Sequence, residues 1–416
     1  MRHWNFIRCF QKNGWEITYS SPSKENSFTE ILQKEGISTI KVQANSSTFD
    51  TWIQSYQPHY VIFDRFVIEE QFGWRVAENS PSSVRILDTQ DLHFLRRARQ
   101  AAIESGTLYD EIFHNSINLD NETSLRELAS IYRSDATLMI SDFEMTLLHK
   151  CFHIPLTLLQ LLRFSYSPPP PLSKSYEDRK HFAMIGNFRH PPNVDAMHWL
   201  RQDIWPLVRQ QLPEAEVHIY GAYAPREALK HTDEGAGFIV KGPVKDHMAM
   251  LGAHRVNLAP LRFGAGIKGK ISDGWWAGTP CVSTPIGMEG MVGEGEVNDW
   301  DNGVVSSVPS STYYDKWGGS VAWSAEEFAV KCVELYRNTN GVWERGQQNG
   351  YQTLSSLYSE ERNSRRLTDF MVDIRSNIDI RRKSNRVGSI LQHQLQMGLK
   401  YFSLWIQEKN NNKKAS

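Results

Sequence analysis

The residues best suited to chemistry lie between Pro260 and Gly290, where several glycines surround two lysines. Glycines within residues 264–270 let the backbone approach a bound group closely and reach positive φ without steric cost. Lys268 and Lys270 add fixed positive charge. A helix starting near Ile271 would point free N–H groups and its positive dipole end at the same place. We therefore predict a loop that binds a diphosphate.

Two general nucleotide-binding patterns fit this loop in part. Gly264 to Gly269 reads G-x-G-x-x-G, with Glu289 twenty residues later, which is typical of a dinucleotide site. Such a loop normally starts a domain, whereas this one follows several predicted strands. The same glycine also opens G-x-x-x-x-G-K, but Ile271 replaces the Ser or Thr that would hold Mg²⁺. An NAD site stays an alternative, and an ATP-type phosphate loop is disfavoured.

Strand and helix patterns alternate along both halves of the chain, which predicts an α/β protein with two Rossmann-like, doubly wound domains. Compact apolar runs at residues 60–64 and 84–88 end in Asp, as buried parallel strands often do. The second half repeats this rhythm. Its predicted strands lie at residues 182–186, 216–220, 237–241, 255–259, 280–284 and 303–306.

Prolines at residues 168–171 predict a stiff linker between the two domains. The predicted divisions are an N-terminal domain at 1–166, a linker at 167–178, a C-terminal domain at 179–370 and a tail at 371–416. The chain opens in a helix pattern at residues 2–13, followed by a short strand at 15–19. A nucleotide-type domain usually opens with a strand, so we expect a first strand to be missing, as in a truncated chain. The centre of that sheet would then lack a partner.

Composition excludes several classes of protein. A formal net charge of −1 gives no reason to expect a nucleic acid partner. The four cysteines are far apart and lack C-x-x-C spacing, which argues against a zinc site or a disulfide framework. No secretory signal is visible, and the apolar stretch at 154–164 is too short to span a bilayer. We expect a cytoplasmic protein with no metal site.

The tail from residue 381 to the end is strongly basic, with eight Lys or Arg residues against Glu408 alone. Such a basic amphipathic helix can lie on an anionic membrane surface. It can equally pack its apolar stripe on the fold and leave its charges solvated. The stripe consists of Leu391, Leu395, Leu399, Phe402 and Ile406.

A set of motifs in fixed order resembles the C-terminal half of the family 4 (group 1) glycosyltransferases, which have the GT-B architecture of two Rossmann-like domains facing a cleft. The resemblance covers residues 182–358 well. In the N-terminal half it rests on Leu87-Asp88, on Asp91-Leu92-His93 and on Ser141. The C-terminal motifs are residues 184–188, 192–193, 204–206, 217–221 and 264–289.

This resemblance implies roles for the loop residues. The amides of Gly264 and Gly266, with Lys268 and Lys270, would hold the diphosphate of a nucleotide-sugar donor in the C-terminal domain. The glutamate that binds the ribose in related proteins corresponds to Asp273. Many relatives also have a glutamate that contacts the donor sugar, and Ala265 stands at that position. Glu289 would either cap a helix or face the cleft.

The resemblance further implies a retaining, metal-independent hexosyltransferase without a cofactor, acting on an unknown glycan, lipid or protein acceptor. Lys268 would stabilise the leaving diphosphate, and His93, after a strand end of the acceptor domain, could orient the sugar or the acceptor. Arg96, Arg97 and Arg99 are expected to form a solvated helix face. The alternatives are a catalytically inactive GT-B protein that binds a nucleotide sugar or partner, a sugar-nucleotide epimerase, and an NAD-dependent dehydrogenase.

Overall fold

The computed structural model describes residues 2–24, 27–107, 117–169, 174–223, 232–293 and 314–415, and it contains two α/β domains built on parallel sheets. The α/β fold class expected from the sequence is confirmed. The predicted strand at 303–306 and part of the predicted linker lie outside the described residues.

The N-terminal domain holds six described strands in two separate parallel sheets, one of two strands in the order β1-β2 and one of four in the order β3-β4-β5-β6. The strands are β1 (Thr18–Ser21), β2 (Ser38–Lys41), β3 (Tyr60–Asp64), β4 (Val84–Asp88), β5 (Ala136–Met139) and β6 (Leu159–Leu161). The bounds of β3 and β4 match the prediction, whereas β1 begins three residues later than the predicted strand.

The helices of this domain cover its sheets. They are α1 (Arg2–Lys12), α2 (Ser27–Lys34), α3 (Ser47–Tyr56), α4 (Arg65–Asn79), α5 (His93–Glu104), α6 (Glu122–Arg133) and α7 (Asp142–Phe152). Arg2 at the start of α1 donates to Asp88 at the end of β4 at 2.6 Å. His3 pairs with Asp64 at the end of β3. The start of α1 is therefore fixed at the carboxyl edge of the four-stranded sheet.

The C-terminal domain has a six-stranded parallel sheet in the order β12-β11-β10-β7-β8-β9. Its strands are β7 (Lys180–Ile185), β8 (Val217–Tyr220), β9 (Phe238–Gly242), β10 (His254–Ala259), β11 (Cys281–Ser283) and β12 (Gly319–Val321). Its helices are α8 (Pro191–Trp199), α9 (Trp205–Gln211), α10 (His247–Ala253), α11 (Gly269–Trp276), α12 (Pro285–Met288), α13 (Ala325–Tyr336) and α14 (Val342–Leu357). A π-helical turn at Leu200–Ile204 joins α8 to α9.

The chain then returns to the N-terminal domain through α15 (Glu360–Ser376), α16 (Ile378–Ser384) and α17 (Arg386–Ala415). Leu367 and Met371 of α15 pack in one apolar cluster with Phe6 and Phe10 of α1. The predicted C-terminal domain extends to residue 370, but α15, which covers residues 360–376, packs on the N-terminal domain.

The two chain segments that connect the domains run side by side. The amide of Tyr166 donates to the carbonyl oxygen of Tyr358 at 2.8 Å, and the amide of Glu360 donates to that of Tyr166 at 2.9 Å. The outgoing and returning segments are thus hydrogen-bonded to each other at the domain boundary.

The tail helix α17 packs on the N-terminal domain by one face. Ser403 is buried, accepts from Nη2 of Arg75 at 2.7 Å and donates to Oδ1 of Asn45 at 3.1 Å. Tyr401 and Trp405 are exposed on the helix. Within the described part of the chain, no helix combines the length and apolarity needed to cross a membrane.

Helix α11, which follows the predicted phosphate loop, is anchored by Trp275. This side chain is fully buried, its Nε1 donates to the carbonyl oxygen of Gly318 at 2.8 Å, and its ring packs edge-on against Trp317. Its neighbour Trp276 is only half-buried and donates to the carbonyl oxygen of Ser167.

We therefore expect Trp275→Ala to lower the free energy of unfolding by about 3–5 kcal/mol, because truncation of a large core side chain leaves a cavity. Trp276→Ala is the matched control and should cost clearly less. Urea unfolding followed by circular dichroism measures both. Equal losses in the two variants would contradict the anchoring role of Trp275.

Candidate functional site

The predicted phosphate loop lies between β10 and α11, at the carboxyl end of the sheet. The chain order reverses at this point, because β8 and β9 lie on one side of β7 and β10 lies on the other. In open α/β sheets, ligands bind at such a switch point. The N-terminal domain reaches this loop, since a Cβ added to Gly266 would lie 2.8 Å from Cβ of Asp91. With a φ of +66°, Gly266 needs glycine for its backbone conformation as well.

Both predicted lysines carry positive charge into this region. Lys268 is only 6% exposed, and its Nζ donates to the carbonyl oxygen of Gly266 at 2.8 Å. Nζ of Lys270 donates to Oδ1 of Asn193, in the first turn of α8, at 2.5 Å. Burial lowers the pKa of each ammonium group to about 8. Among the described residues, neither lysine forms an ion pair.

Two further basic side chains, Arg96 and His190, lie near this region. Arg96 of α5 pairs with Asp91, next to Gly266. Burial, together with the positive charges of Arg96 and Lys270, lowers the pKa of His190 to about 4. The loop is therefore bordered by cationic groups of both domains, but also by the carboxylates of Asp91, Glu144 and Glu289.

A glutamate that the sequence analysis missed contacts the loop from α7. Oε1 of Glu144 accepts from the amide of Gly266 at 2.8 Å and from the amide of Leu92 at 2.9 Å. Burial raises the pKa of Glu144 to about 7, although both amides and the nearby Lys268 favour its ionised form. The amide of Gly266, predicted to bind phosphate, is thus engaged by a carboxylate of the other domain.

Glu289, predicted to cap a helix or face the cleft, forms an ion pair between the domains. Arg99 donates to its two carboxylate oxygens at 2.9 and 2.7 Å and to the carbonyl oxygen of Gly264 at 2.9 Å. Both side chains are buried. The expectation that Arg99 lies on a solvated helix face was wrong, because its partners come from the other domain and are invisible in a local helical pattern. Arg97 of the same helix is exposed, as expected.

Asp273, the predicted ribose-binding residue, lies one turn into α11 and is engaged by two side chains. Tyr166 donates to its Oδ1 at 2.6 Å, and Nε2 of His247 lies 3.4 Å from its Oδ2. The hydrogen bond to Asp273 raises the pKa of His247. Asp273 is therefore held in a fixed position beside the loop that carries the lysines.

His93, the predicted orienting residue, is the first residue of α5 in the N-terminal domain. Its Nε2 lies 3.3 Å from Oδ1 of Asp91, and its ring packs edge-on against Phe66. Burial lowers the pKa of His93, although the carboxylate of Glu127 opposes this shift. Asp91 lies between His93 and Gly266, while the remaining predicted residues lie on the loop, on α11 and directly after α12.

Comparison with known families and structures gives a consistent result for this architecture. Residues 179–338 match the profile of a family described as Glycosyl transferases group 1. No curated protein matches the chain.

Similar solved structures include a glycosyltransferase and an O-GlcNAc transferase. The enzyme from Rickettsia africae has a TM-score of 0.60 and 11% identity, over 89% of this chain and 94% of its own. Anabaena HepE, in complex with UDP and glucose, has a TM-score of 0.58 and 9% identity, over 86% and 99%. The pneumococcal O-GlcNAc transferase, in complex with UDP and GlcNAc, has a TM-score of 0.54 and 16% identity, over 78% and 59%. The chain therefore has the GT-B fold.

The ion pair between Arg99 and Glu289 leads to a stability prediction. We expect Arg99→Gln or Glu289→Gln to lower the free energy of unfolding by about 3–5 kcal/mol, since either change leaves one buried charge without its partner. The double variant should lose less than the sum of the two single losses, with a coupling of at least about 1 kcal/mol.

Chemical denaturation of the four proteins in this cycle provides the measurement. Arg97→Gln is the control, because exposed Arg97 lies on the same helix and donates to Thr123 rather than to a carboxylate. Strictly additive losses for Arg99 and Glu289 would contradict a direct pair between the domains.

Proposed function

We propose that this protein is a glycosyltransferase that moves a sugar from a nucleoside diphosphate sugar to an acceptor. The main support is that Lys268 and Lys270, beside a glycine loop at the switch point, form no salt bridge within the described part of the chain, although Glu289 and Glu144 attract Lys268 from a longer distance. A buried ammonium group without an anionic partner is costly. A diphosphate bound in the cleft would supply the missing negative charge.

The chemistry of glycosyl transfer suits this arrangement. When the bond between the sugar and the diphosphate breaks, negative charge grows on the leaving phosphate. Lys268, Lys270 and the first amides of α11 would stabilise that charge in a site shielded from water. Lys268 thus acts as a catalytic group that touches the leaving diphosphate, and no protein nucleophile is required.

The remaining predicted residues fit around such a donor. Asp273, held by Tyr166 and His247, would accept the ribose hydroxyls, and Gly264 and Gly266 would let the loop approach the diphosphate. His93 would orient the sugar or the acceptor from the N-terminal domain. Glu289 would act through Arg99 by holding the loop against that domain.

Finer features of the proposal rest on the resemblance to the family 4 enzymes. They are retention of configuration, independence of metal ions, transfer of a hexose and a cytoplasmic location. The UDP complexes of Anabaena HepE and the pneumococcal enzyme support uridine diphosphate sugars as the first donors to test.

A binding protein without turnover is the second candidate. Ala265 lacks a polar side chain where many relatives have a glutamate, and Glu144 already engages the amide of Gly266. Both observations fit a site that holds a nucleotide sugar without transferring it.

A donor panel separates the candidates. The protein is mixed with UDP-glucose, UDP-GlcNAc and the corresponding guanosine and adenosine diphosphate sugars, with water as the first acceptor and a panel of glycans as further acceptors. Binding is followed by calorimetry and turnover by release of the nucleoside diphosphate. Release that is undiminished by EDTA and increased by a glycan acceptor supports the proposed enzyme, and NMR of the resulting glycoside reports its anomeric configuration. Binding without release supports the second candidate. A lack of binding to every donor would refute both.

With the active donor, Lys268→Ala is expected to lower kcat by about 10²–10³, because one stabilising cation is removed from the leaving group. Lys241→Ala, which removes an exposed lysine on β9, should keep the wild-type rate. Steady-state kinetics and thermal melting of both variants provide the measurement. Unchanged turnover in a folded Lys268→Ala protein would contradict the assigned site.

We also propose that α17 contacts an anionic membrane surface. Of the predicted apolar stripe, Leu391, Leu395 and Ile406 are half-buried, while Phe402 is exposed together with Tyr401 and Trp405. Aromatic side chains favour the membrane interface, and cations next to them favour anionic lipid. Nζ of Lys409 lies 4.9 Å from the centre of the Trp405 ring.

Replacing Tyr401, Phe402 and Trp405 by Ser should weaken binding to vesicles containing phosphatidylserine by at least about tenfold, since apolar area that enters the interface is lost. Co-sedimentation with vesicles of phosphatidylcholine, with and without phosphatidylserine, measures this. The control replaces Leu125 and Val372 by Ser, which are exposed on other helices. If the wild-type protein sediments with neither type of vesicle, the proposed membrane contact is wrong.

A further inference from the structure

Two buried glutamates of the N-terminal domain hold the start of α5 but differ in how their oxygens are used. Glu127 accepts from the amide of His93 through Oε1 and from the amide of Phe94 through Oε2. Glu144 accepts from the amides of Leu92 and Gly266 through Oε1 alone. Its Oε2 is buried and has no hydrogen-bond partner among the described residues.

An unpaired oxygen in this position has a physical cost. A buried acceptor that loses its contact with water and gains no donor destabilises the protein by about 1–3 kcal/mol, and more when it is charged. Such atoms are few in folded proteins, and each needs an explanation, such as a catalytic role, an ordered water or a bound ion. Glu127, at the start of the same helix, differs from Glu144 because each of its two carboxylate oxygens accepts a hydrogen bond.

The surroundings of Glu144 define what kind of ligand would fit. Lys268 lies close enough to lower its pKa, whereas Glu289 raises it, so the carboxylate borders the lysine assigned to the diphosphate. A phosphate would be repelled by the carboxylate itself. A hydroxyl group can donate to Oε2 without any such repulsion.

The loop offers no acceptor side chain of its own at this point. Its residue before Gly266 is Ala265, which packs partly buried against the apolar cluster of the N-terminal domain. In a nucleoside diphosphate sugar, the sugar is bonded directly to the diphosphate. A carboxylate next to Lys268 therefore lies where a sugar hydroxyl would need an acceptor.

We propose that Glu144 binds the sugar of the donor, with Oε1 fixing the loop through Gly266 and Oε2 accepting a sugar hydroxyl. This inference rests on the proposed nucleotide-sugar donor. The acceptor comes from the opposite domain, so recognition of the sugar is coupled to contact between the two domains.

The test compares UDP with UDP-glucose as probes, because they share the diphosphate and differ by the sugar. Calorimetry at pH 7.5 lies between the pKa of Glu144, about 7, and those of Lys268 and Lys270, about 8, so the larger part of each group stays charged in the wild-type protein. In Glu144→Gln and Glu144→Ala, affinity for UDP-glucose should fall at least about tenfold, as expected when a charged hydrogen bond is lost. Affinity for UDP should stay within about twofold in Glu144→Gln, whose amide oxygen can still accept from Gly266. In Glu144→Ala, which loses that contact with the loop, it should fall less than affinity for UDP-glucose.

Glu127→Gln is the matched control, because it alters a buried carboxylate at the same helix start that lacks an orphaned oxygen. Its ratio of UDP-glucose to UDP affinity should equal that of the wild type. Thermal melting of each variant, with the Gln replacement preserving side-chain shape, separates a loss of fold from a loss of binding.

Any other result for the Glu144 variants contradicts the proposed role of Glu144 in binding the sugar. If both affinities rise in the Glu144 variants, the carboxylate competes with the diphosphate instead of binding the sugar. If both fall together, Glu144 only positions the loop, and if neither changes, it has no part in binding. A wild-type protein that binds neither probe contradicts the uridine diphosphate donor itself, whereas unchanged selectivity in a binding-competent Glu144→Gln protein contradicts only the role of Glu144.

Discussion

Charge buried between the two domains controls the geometry of the whole site. Arg99 and Glu289 form a two-pronged ion pair across the boundary, and Glu144 accepts from an amide of the opposite loop. Because these charged groups are buried, each needs its partner to offset the cost of desolvation. The two partners belong to different domains. The position of the glycine loop is therefore set by the N-terminal domain as much as by its own sheet.

Positive and negative charge are distributed unevenly in this boundary. The carboxylate of Glu289 is matched by Arg99, whereas among the described residues Lys268 and Lys270 donate to a carbonyl and an amide oxygen and form no salt bridge. Burial lowers the pKa of both lysines, although Glu289 and Glu144 attract Lys268 from a longer distance. Two buried cations beside a glycine loop fit the proposed anionic donor.

Local patterns predicted the α/β fold and the position of the glycine loop between a strand and a helix, and their failures have a common cause. Strands β3 and β4 were predicted to the residue, because each is a compact apolar run that ends in Asp. The roles of Arg99 and Glu144 were missed because their partners lie 190 and 122 positions away in the chain. A helical wheel shows which side of a helix is polar, but not which domain will cover it. The spacing of Ser141 and Glu144 resembles a capping box, which was the one local signal for that glutamate.

The side-by-side passage of the chain at Tyr166 and Tyr358 has a mechanical consequence. Two covalent crossings that are hydrogen-bonded to each other define a short line shared by both domains. Rotation about that line would leave the two hydrogen bonds intact, whereas sliding of one domain across the other would break them. The paired segments therefore resist sliding more than they resist rotation.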